Sequence, residues 1–206
     1  MGQLFSVLWS FVFPSREFKV LLVGLDNAGK TTTLYQLQLG EVVQTQPTVG
    51  SNVETVRYKG MELEVWDLGG QAMMRPSWVT YYKATDAVIM VVDSTDRGRM
   101  QVTKEEVAKL LGSDDLRGAV LLVFANKQDL KDAMTAEELT NVLGLHGIKT
   151  HDWHIEACSA KTGQGLMQGL GWVAEKIKKK GAPPPPEALA PSTGASWGGG
   201  APAGAT

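Results

Sequence analysis

Cysteine is nearly absent from this chain: Cys158 stands alone, so no internal disulfide is possible and a reducing compartment is the plain reading. Charge of one sign is also lacking. Lys and Arg number 20 against 22 Asp and Glu, which leaves no basic surplus to mark nucleic acid as the main partner. No apolar run reaches the roughly 18 residues needed to span a bilayer. The opening lacks the basic n-region and small-residue cleavage site of a secretory signal. There is no internal repeat. What is present, 206 residues of which 43% are hydrophobic, suits one globular domain with a sizeable core and short appendages.

Three segments are expected. Residues 1–15 carry no charged side chain, residues 16–180 form the body, and residues 181–206 are a tail in which 19 of 26 residues are Gly, Ala or Pro. Such a tail has too little apolar surface to offset ordering entropy, so disorder is expected there. In the body, Phe18–Val23, Ala87–Val92 and Ala119–Phe124 read as buried strands. Near-continuous apolar strands belong to a parallel sheet covered on both faces. Val53–Tyr58 and Met61–Trp66 read as a hairpin turning at Lys59-Gly60, which would add one antiparallel edge strand. A further short strand is expected over His154–Ala157. The closing helix sets Leu166, Leu170, Val173 and Ile177 on one stripe. Strands alternating with helices imply an open α/β sheet that binds ligands at the carboxyl ends of its strands.

Directly after the first strand stands Gly24-Leu25-Asp26-Asn27-Ala28-Gly29-Lys30-Thr31, a full phosphate-loop pattern. Its glycines let the backbone curl so that N–H groups face phosphate oxygens, and the helix beginning near Lys30 adds its positive end. Lys30 would bridge the β- and γ-phosphates, the Thr31 hydroxyl would ligate Mg²⁺, and Thr32 extends the phosphate-binding set. A chance match in a chain of this length has a probability on the order of 1 in 100.

The loop alone does not choose the base. Asn126-Lys127-Gln128-Asp129 ends a buried strand, and a carboxylate there accepts both the N1–H and the 2-amino group of guanine. Adenine lacks both donors, so such a site discriminates by roughly 10⁴ to 10⁵. Lys127 would cover the base and Asn126 would tie this loop to the phosphate loop. Ser159-Ala160-Lys161 would offer a backbone N–H to guanine O6. In Trp66-Asp67-Leu68-Gly69-Gly70-Gln71, Asp67 suits the second shell of Mg²⁺, Gly70 a backbone N–H to the γ-phosphate, and Gln71 the orienting of the attacking water. Thr48, after Pro47, is the candidate second hydroxyl ligand. Two rivals stay open: a nucleotide-locked module without turnover, against which Gln71 argues, and an ATPase or kinase, against which Asp129 argues.

Together GLDNAGKTTTL, PTVGSNVETV, WDLGGQ, VVDSTDR and NKQDL resemble the ADP-ribosylation-factor family of small GTPases. The resemblance implies a Ras-like fold, with a six-stranded, mostly parallel sheet and helices on both faces. It implies GTP/GDP and Mg²⁺ as ligands, GTP hydrolysis, and switch regions near residues 42–52 and 69–82. An exchange factor, a GTPase-activating protein and effectors would be its partners, with the chain itself a monomer. Ser51 departs from the large aromatic found in many relatives, beside retained Trp66 and Tyr81, and Met73-Met74 replaces a more polar pair. Met73, Met74, Trp78 and Tyr82 read either as helix packing or as an adaptable apolar surface.

The opening now makes sense. Met1-Gly2-Gln3-Leu4-Phe5-Ser6 matches the N-myristoylation signal with Gly2 as acceptor. Gln3, Ser6 and Ser10 form a narrow polar stripe on a helix whose other positions are large and apolar. One myristoyl chain binds membranes with K of only about 10⁴ M⁻¹, so lipid and helix together supply the two signals that firm anchoring needs. A core helix docked permanently on the domain is the alternative. The expected location is the cytoplasm, peripheral on membranes when GTP is bound, and the resemblance points to Golgi membranes. Lys176, Lys178, Lys179 and Lys180 suit the negative end of the last helix and need no partner, with anionic headgroups as the other reading.

Residues 41–47 contain no arginine, so this stretch supplies no arginine finger, a group worth about 10³ to 10⁵ in rate. Hydrolysis by the pure protein is therefore expected to be very slow. A single-turnover assay that releases phosphate within seconds would contradict this.

Overall fold

The structure is a computed structural model that describes residues 17–43 and 45–181. Gly2, the expected N-terminal helix and the tail beyond residue 181 lie outside the described residues.

Six strands form one sheet: β1 (Glu17–Val23), β2 (Ser51–Tyr58), β3 (Met61–Leu68), β4 (Ala87–Asp93), β5 (Val120–Asn126) and β6 (Trp153–Ala157), in the order β2-β3-β1-β4-β5-β6. Every pairing is parallel except β2 with β3, so the sheet carries the single antiparallel edge strand expected of it. Each expected strand is present, most running one or two residues further at an end. The hairpin turns at Lys59 (φ 47°) and Gly60 (φ 77°), the paired left-handed conformation of a type I′ turn.

Among the described residues four helices cover the sheet: α1 (Lys30–Leu39), α2 (Met100–Leu111), α3 (Ala136–Leu143) and α4 (Leu166–Gly181). Alternation along each strand divides the core in two. Val20, Leu22, Ile89, Leu122 and Phe124 face α1 and α4, and Leu166, Leu170, Val173 and Ile177 form the buried stripe of α4. Leu21, Val23, Val88, Met90, Leu121 and Val123 face α2 and α3, packing on Met100, Val107, Leu110, Leu139 and Leu143. Since β4 and β5 are buried along their whole length, both of their faces must be apolar. α3 starts on a capping box in which Thr135 Oγ1 accepts from the Glu138 N–H and Glu138 returns the bond.

Register decides where chemistry can occur. Leu22 of β1 lies opposite Asp67 of β3, and Asp93 of β4 opposite Asn126 of β5. The polar residues that end these strands therefore line up along one edge of the sheet.

Leu122 is fully buried at the middle of β5. Leu122→Ala is expected to lower unfolding free energy by about 2 to 5 kcal/mol in denaturant titration. A loss under 1 kcal/mol would show this face of the core to be loosely packed.

Candidate functional site

At that edge, residues 24–29 leave β1, curl, and enter α1. Gly29 sits at φ 92°, and an added Cβ would come within 2.5 Å of Asn126 Nδ2, so the position needs glycine. No side chain caps α1 and no acidic residue occupies its first turn. Its positive end is thus open to an anion.

A cavity of about 310 Å³ lies against this loop, lined by Asp26, Asn27, Gly29, Lys30, Thr31, Thr32, Thr45, Gln46, Pro47, Thr48, Gly70 and Gln71. Residues from three separate stretches of sequence meet in it. Lys30 is buried and donates from Nζ to the Leu25 carbonyl at 3.0 Å. Burial holds its ammonium below the ordinary lysine range, while nearby Asp67 and Asp26 work against that shift. The Thr31 hydroxyl donates to Asp67 Oδ2 at 2.6 Å, the Thr48 hydroxyl reaches the same oxygen at 3.2 Å, and the two hydroxyls are 3.0 Å apart. Burial pushes the Asp67 carboxyl above its usual range, and the Thr31 bond, Lys30 and the Thr48 bond pull it back. Its other oxygen, Oδ1, is buried with no hydrogen-bond partner among the described residues. Two hydroxyls and a carboxylate with an unsatisfied oxygen make a hard-oxygen donor set, and these residues fit Mg²⁺.

Gly70 is wedged into the same place. Its carbonyl accepts the Asp26 N–H at 3.1 Å, and an added Cβ would fall 2.4 Å from Lys30 Nζ and 2.5 Å from the Gly24 carbonyl. Beside it Gln71 is exposed at the cavity mouth, and its carbonyl accepts the Met74 N–H at 2.8 Å.

Across the next two strands the expected base-side residues gather around Asn126. Its Nδ2 donates to the Ala28 carbonyl at 2.8 Å, and its Oδ1 accepts the Ala160 N–H at 2.8 Å. One buried amide thus binds the phosphate loop to the residue 159–161 turn, where one of the three backbone N–H groups expected to serve a base, that of Ala160, is engaged by Asn126. Ser159 Oγ donates to Asp129 Oδ1 at 2.7 Å and fixes that carboxylate at the edge. Lys127 adopts φ 69° and its Nζ lies 2.6 Å from Asp93 Oδ2. Burial opposes ionisation of Asp93, but the Lys127 and Thr95 bonds outweigh it and hold the carboxyl below its usual range. Gln128 turns inward, donating to Ser94 Oγ and to the Met134 carbonyl, each at 2.9 Å. Lys161 is exposed on the same turn.

The four residues after Gln71 with two open readings divide between them. Trp78 and Tyr82 are core residues, Trp78 donating from Nε1 to the Gly69 carbonyl at 2.9 Å, whereas Met73 is 82% exposed and Met74 half-buried. Ser51 Oγ accepts a bond from the Tyr81 hydroxyl at 3.3 Å, next to a tilted Trp66–Tyr81 contact at 5.6 Å.

Several residues at the site were given no role by the sequence reading. Arg75 donates from Nε to the Gly70 carbonyl at 2.9 Å, Arg99 meets Asp26, and Asp93 anchors Lys127. Among them Asp93 had one available clue: it ends an apolar strand, where a ligand edge was expected.

A curled loop before a helix, a buried lysine, two hydroxyls on one carboxylate and a carboxylate at the neighbouring strand end define a P-loop guanine-nucleotide-binding protein. The comparisons agree. The profile of the ADP-ribosylation factor family matches residues 4–177. ADP-ribosylation factor-like protein 5A of Mus musculus is 55% identical over 178 residues, covering 86% of this chain and 99% of that protein. ADP-ribosylation factor-like protein 5 of Dictyostelium discoideum is 53% identical over 86% of this chain and 97% of its own length. Among solved structures, the Arl6 BBS3 small GTPase of Trypanosoma brucei with bound GppNp aligns with a TM-score of 0.75 at 37% identity, over 80% of this chain and 99% of that one. The chain belongs to the ADP-ribosylation factor family, with its Ras-like fold, and is a small GTPase that binds GTP and GDP and hydrolyses GTP.

Asn126→Ala removes both buried bonds and leaves the Ala28 carbonyl and the Ala160 N–H without that partner. Each such orphan costs about 1 to 3 kcal/mol, so GDP affinity of the folded variant is expected to fall at least about tenfold in calorimetry. Unchanged affinity would show that Asn126 does not hold the two loops together for binding.

Proposed function

We propose that the chain is a GTP-controlled switch that brings effectors to a membrane surface, in the manner expected of vesicle traffic at the Golgi. The observation that carries the reading is the meeting of Thr48 and Gly70, from the two switch stretches, with Lys30 and Thr31 around one cavity, Asp67 holding the two threonine hydroxyls. A terminal phosphate placed there has a reason to hold both stretches at once. A ligand shifts a conformational equilibrium only through such differential contacts.

In this reading Lys30, the loop amides and the Gly70 N–H bind phosphate oxygens. Thr31 and Thr48 hold Mg²⁺ with Asp67 behind them, and the ion when bound neutralises phosphate charge. Asp129, set by Ser159, accepts from guanine, while Lys127, set by Asp93, covers the base and Lys161 borders it. Gln71 orients the water. That water adds to the γ-phosphorus as the bond to the β-phosphate oxygen breaks, giving GDP and phosphate. Arg75 is already committed to the Gly70 carbonyl, which agrees with slow turnover without an activating protein.

Membrane attachment would come from myristate on Gly2 and the apolar helix expected over residues 1–15. GTP-driven movement of the β2–β3 hairpin would free that helix. Exposed Met73 and Val79, together with the contacting group Trp66, Tyr81 and Ser51, offer the effector face.

Flotation with liposomes tests the coupling: lipidated protein should bind more with a non-hydrolysable GTP analogue than with GDP, and Gly2→Ala should stay in solution under both. Equal binding in the two nucleotide states would defeat the switch. Gln71→Leu is expected to slow activator-stimulated hydrolysis by two or more orders of magnitude in line with the effect of losing one catalytic group. An unchanged stimulated rate would remove its role.

A further inference from the structure

The phosphate loop contains a contradiction: its third residue, Asp26, is an acid in a segment that receives anions. Like charges this close repel. The Asp26 N–H donates to the Gly70 carbonyl, so this residue stands at the end of the cavity assigned to the terminal phosphate. Its charge also reaches Lys30, whose protonated form it favours.

Two arginines from different elements converge on it. Arg99, just before α2, places Nη1 2.9 Å from Asp26 Oδ1 and donates from Nη2 to the Asp26 main-chain carbonyl at 3.2 Å. The planar fork thus grips carboxylate and backbone together from two separate nitrogens, where a lysine would offer a single one. Its remaining nitrogen, Nε, donates to Asp96 Oδ2 at 2.5 Å, so the guanidinium is held from behind. Arg75 approaches the same Asp26 oxygen at 3.6 Å while bonded to Gly70, and Glu106 lies 3.9 Å from its other side.

We infer that Arg99 is a positioning residue for the triphosphate: it pins the Asp26 carboxylate against its own guanidinium and cancels its charge, so that a terminal phosphate can enter. The inference rests on the cavity being the phosphate site. Without Arg99, rotation about the Asp26 Cα–Cβ bond is free to turn the carboxylate towards the terminal phosphate, with Arg75 as the remaining, more distant counter-charge. GDP, which lacks that phosphate, is affected less. The signature is therefore a change in the ratio of GTP to GDP affinity, and not a uniform loss.

The test is calorimetric titration of wild type, Arg99→Gln and Asp26→Asn/Arg99→Gln with GDP and with a non-hydrolysable GTP analogue, all with Mg²⁺. Arg99→Gln should lower the GTP-to-GDP affinity ratio at least about fivefold, and the double variant should restore it to within about twofold, as coupled charges require. An unchanged ratio in Arg99→Gln, or a double variant as impaired as the single, overturns the inference. If Arg99→Gln does not fold, Arg99→Lys keeps a cation without the fork. Its ratio should fall at least about twofold, and a wild-type ratio overturns the inference equally. Failure of the wild-type chain to bind either nucleotide would instead end the phosphate-site reading itself.

Discussion

One buried carboxylate organises the site. Asp67 takes a hydroxyl from α1 and another from the stretch before β2, while standing on β3 and close to a buried lysine. Removing a carboxylate from water is expensive unless partners replace the lost solvation. Here Thr31, Thr48 and Lys30 replace part of it and Oδ1 has no partner among the described residues, which leave the requirement incomplete. A cation and a triphosphate would complete it. One of those partners, Thr48, comes from a stretch expected to change conformation with the nucleotide, which joins ligand binding to shape through a single group.

The sheet is what allows one residue to do this. Parallel pairing of β1 with β3 sets Leu22 beside Asp67, so the carboxylate emerges level with the start of the phosphate loop. Pairing of β4 with β5 sets Asp93 beside Asn126, and from there Asn126 spans to the phosphate loop and to Ala160. Apolar layers on both faces fix these registers, since slipping a strand by one residue would turn its core side chains to the wrong face. Packing far from the cavity therefore sets the positions of its ligands.

The segment after Gln71 shows how burial and display are divided. Trp78 and Tyr82 enter the core and hold the 3₁₀ stretch Arg75–Tyr81 down, the Trp78 indole tying it to Gly69. Met73 and Val79 remain in solvent. A surface anchored from beneath can present flexible apolar groups without losing its place. Beside it the Ser51 hydroxyl accepts a bond from Tyr81.

Much of this was legible in the chain itself, because local motifs encode local chemistry. Gly24 to Thr31 dictates a curled loop before a helix whatever surrounds it, and alternating apolar strands and helices dictate an open sheet with its ligand edge. The hairpin turn at Lys59-Gly60 and the buried stripe of α4 were equally plain. Which distant groups complete each other was not legible. Nothing in the spacing of residues 26, 75 and 99 links an acid to two arginines, nor that of Asp93 to Lys127, since these contacts exist only after crossovers return separate strands to one edge. The same limit left Trp78 and Met73 undistinguished, as both are apolar residues in one short run. Sequence determined the kinds of group available and the elements that carry them. Tertiary structure decided which meet, because register and side-chain burial are settled by packing across the whole sheet.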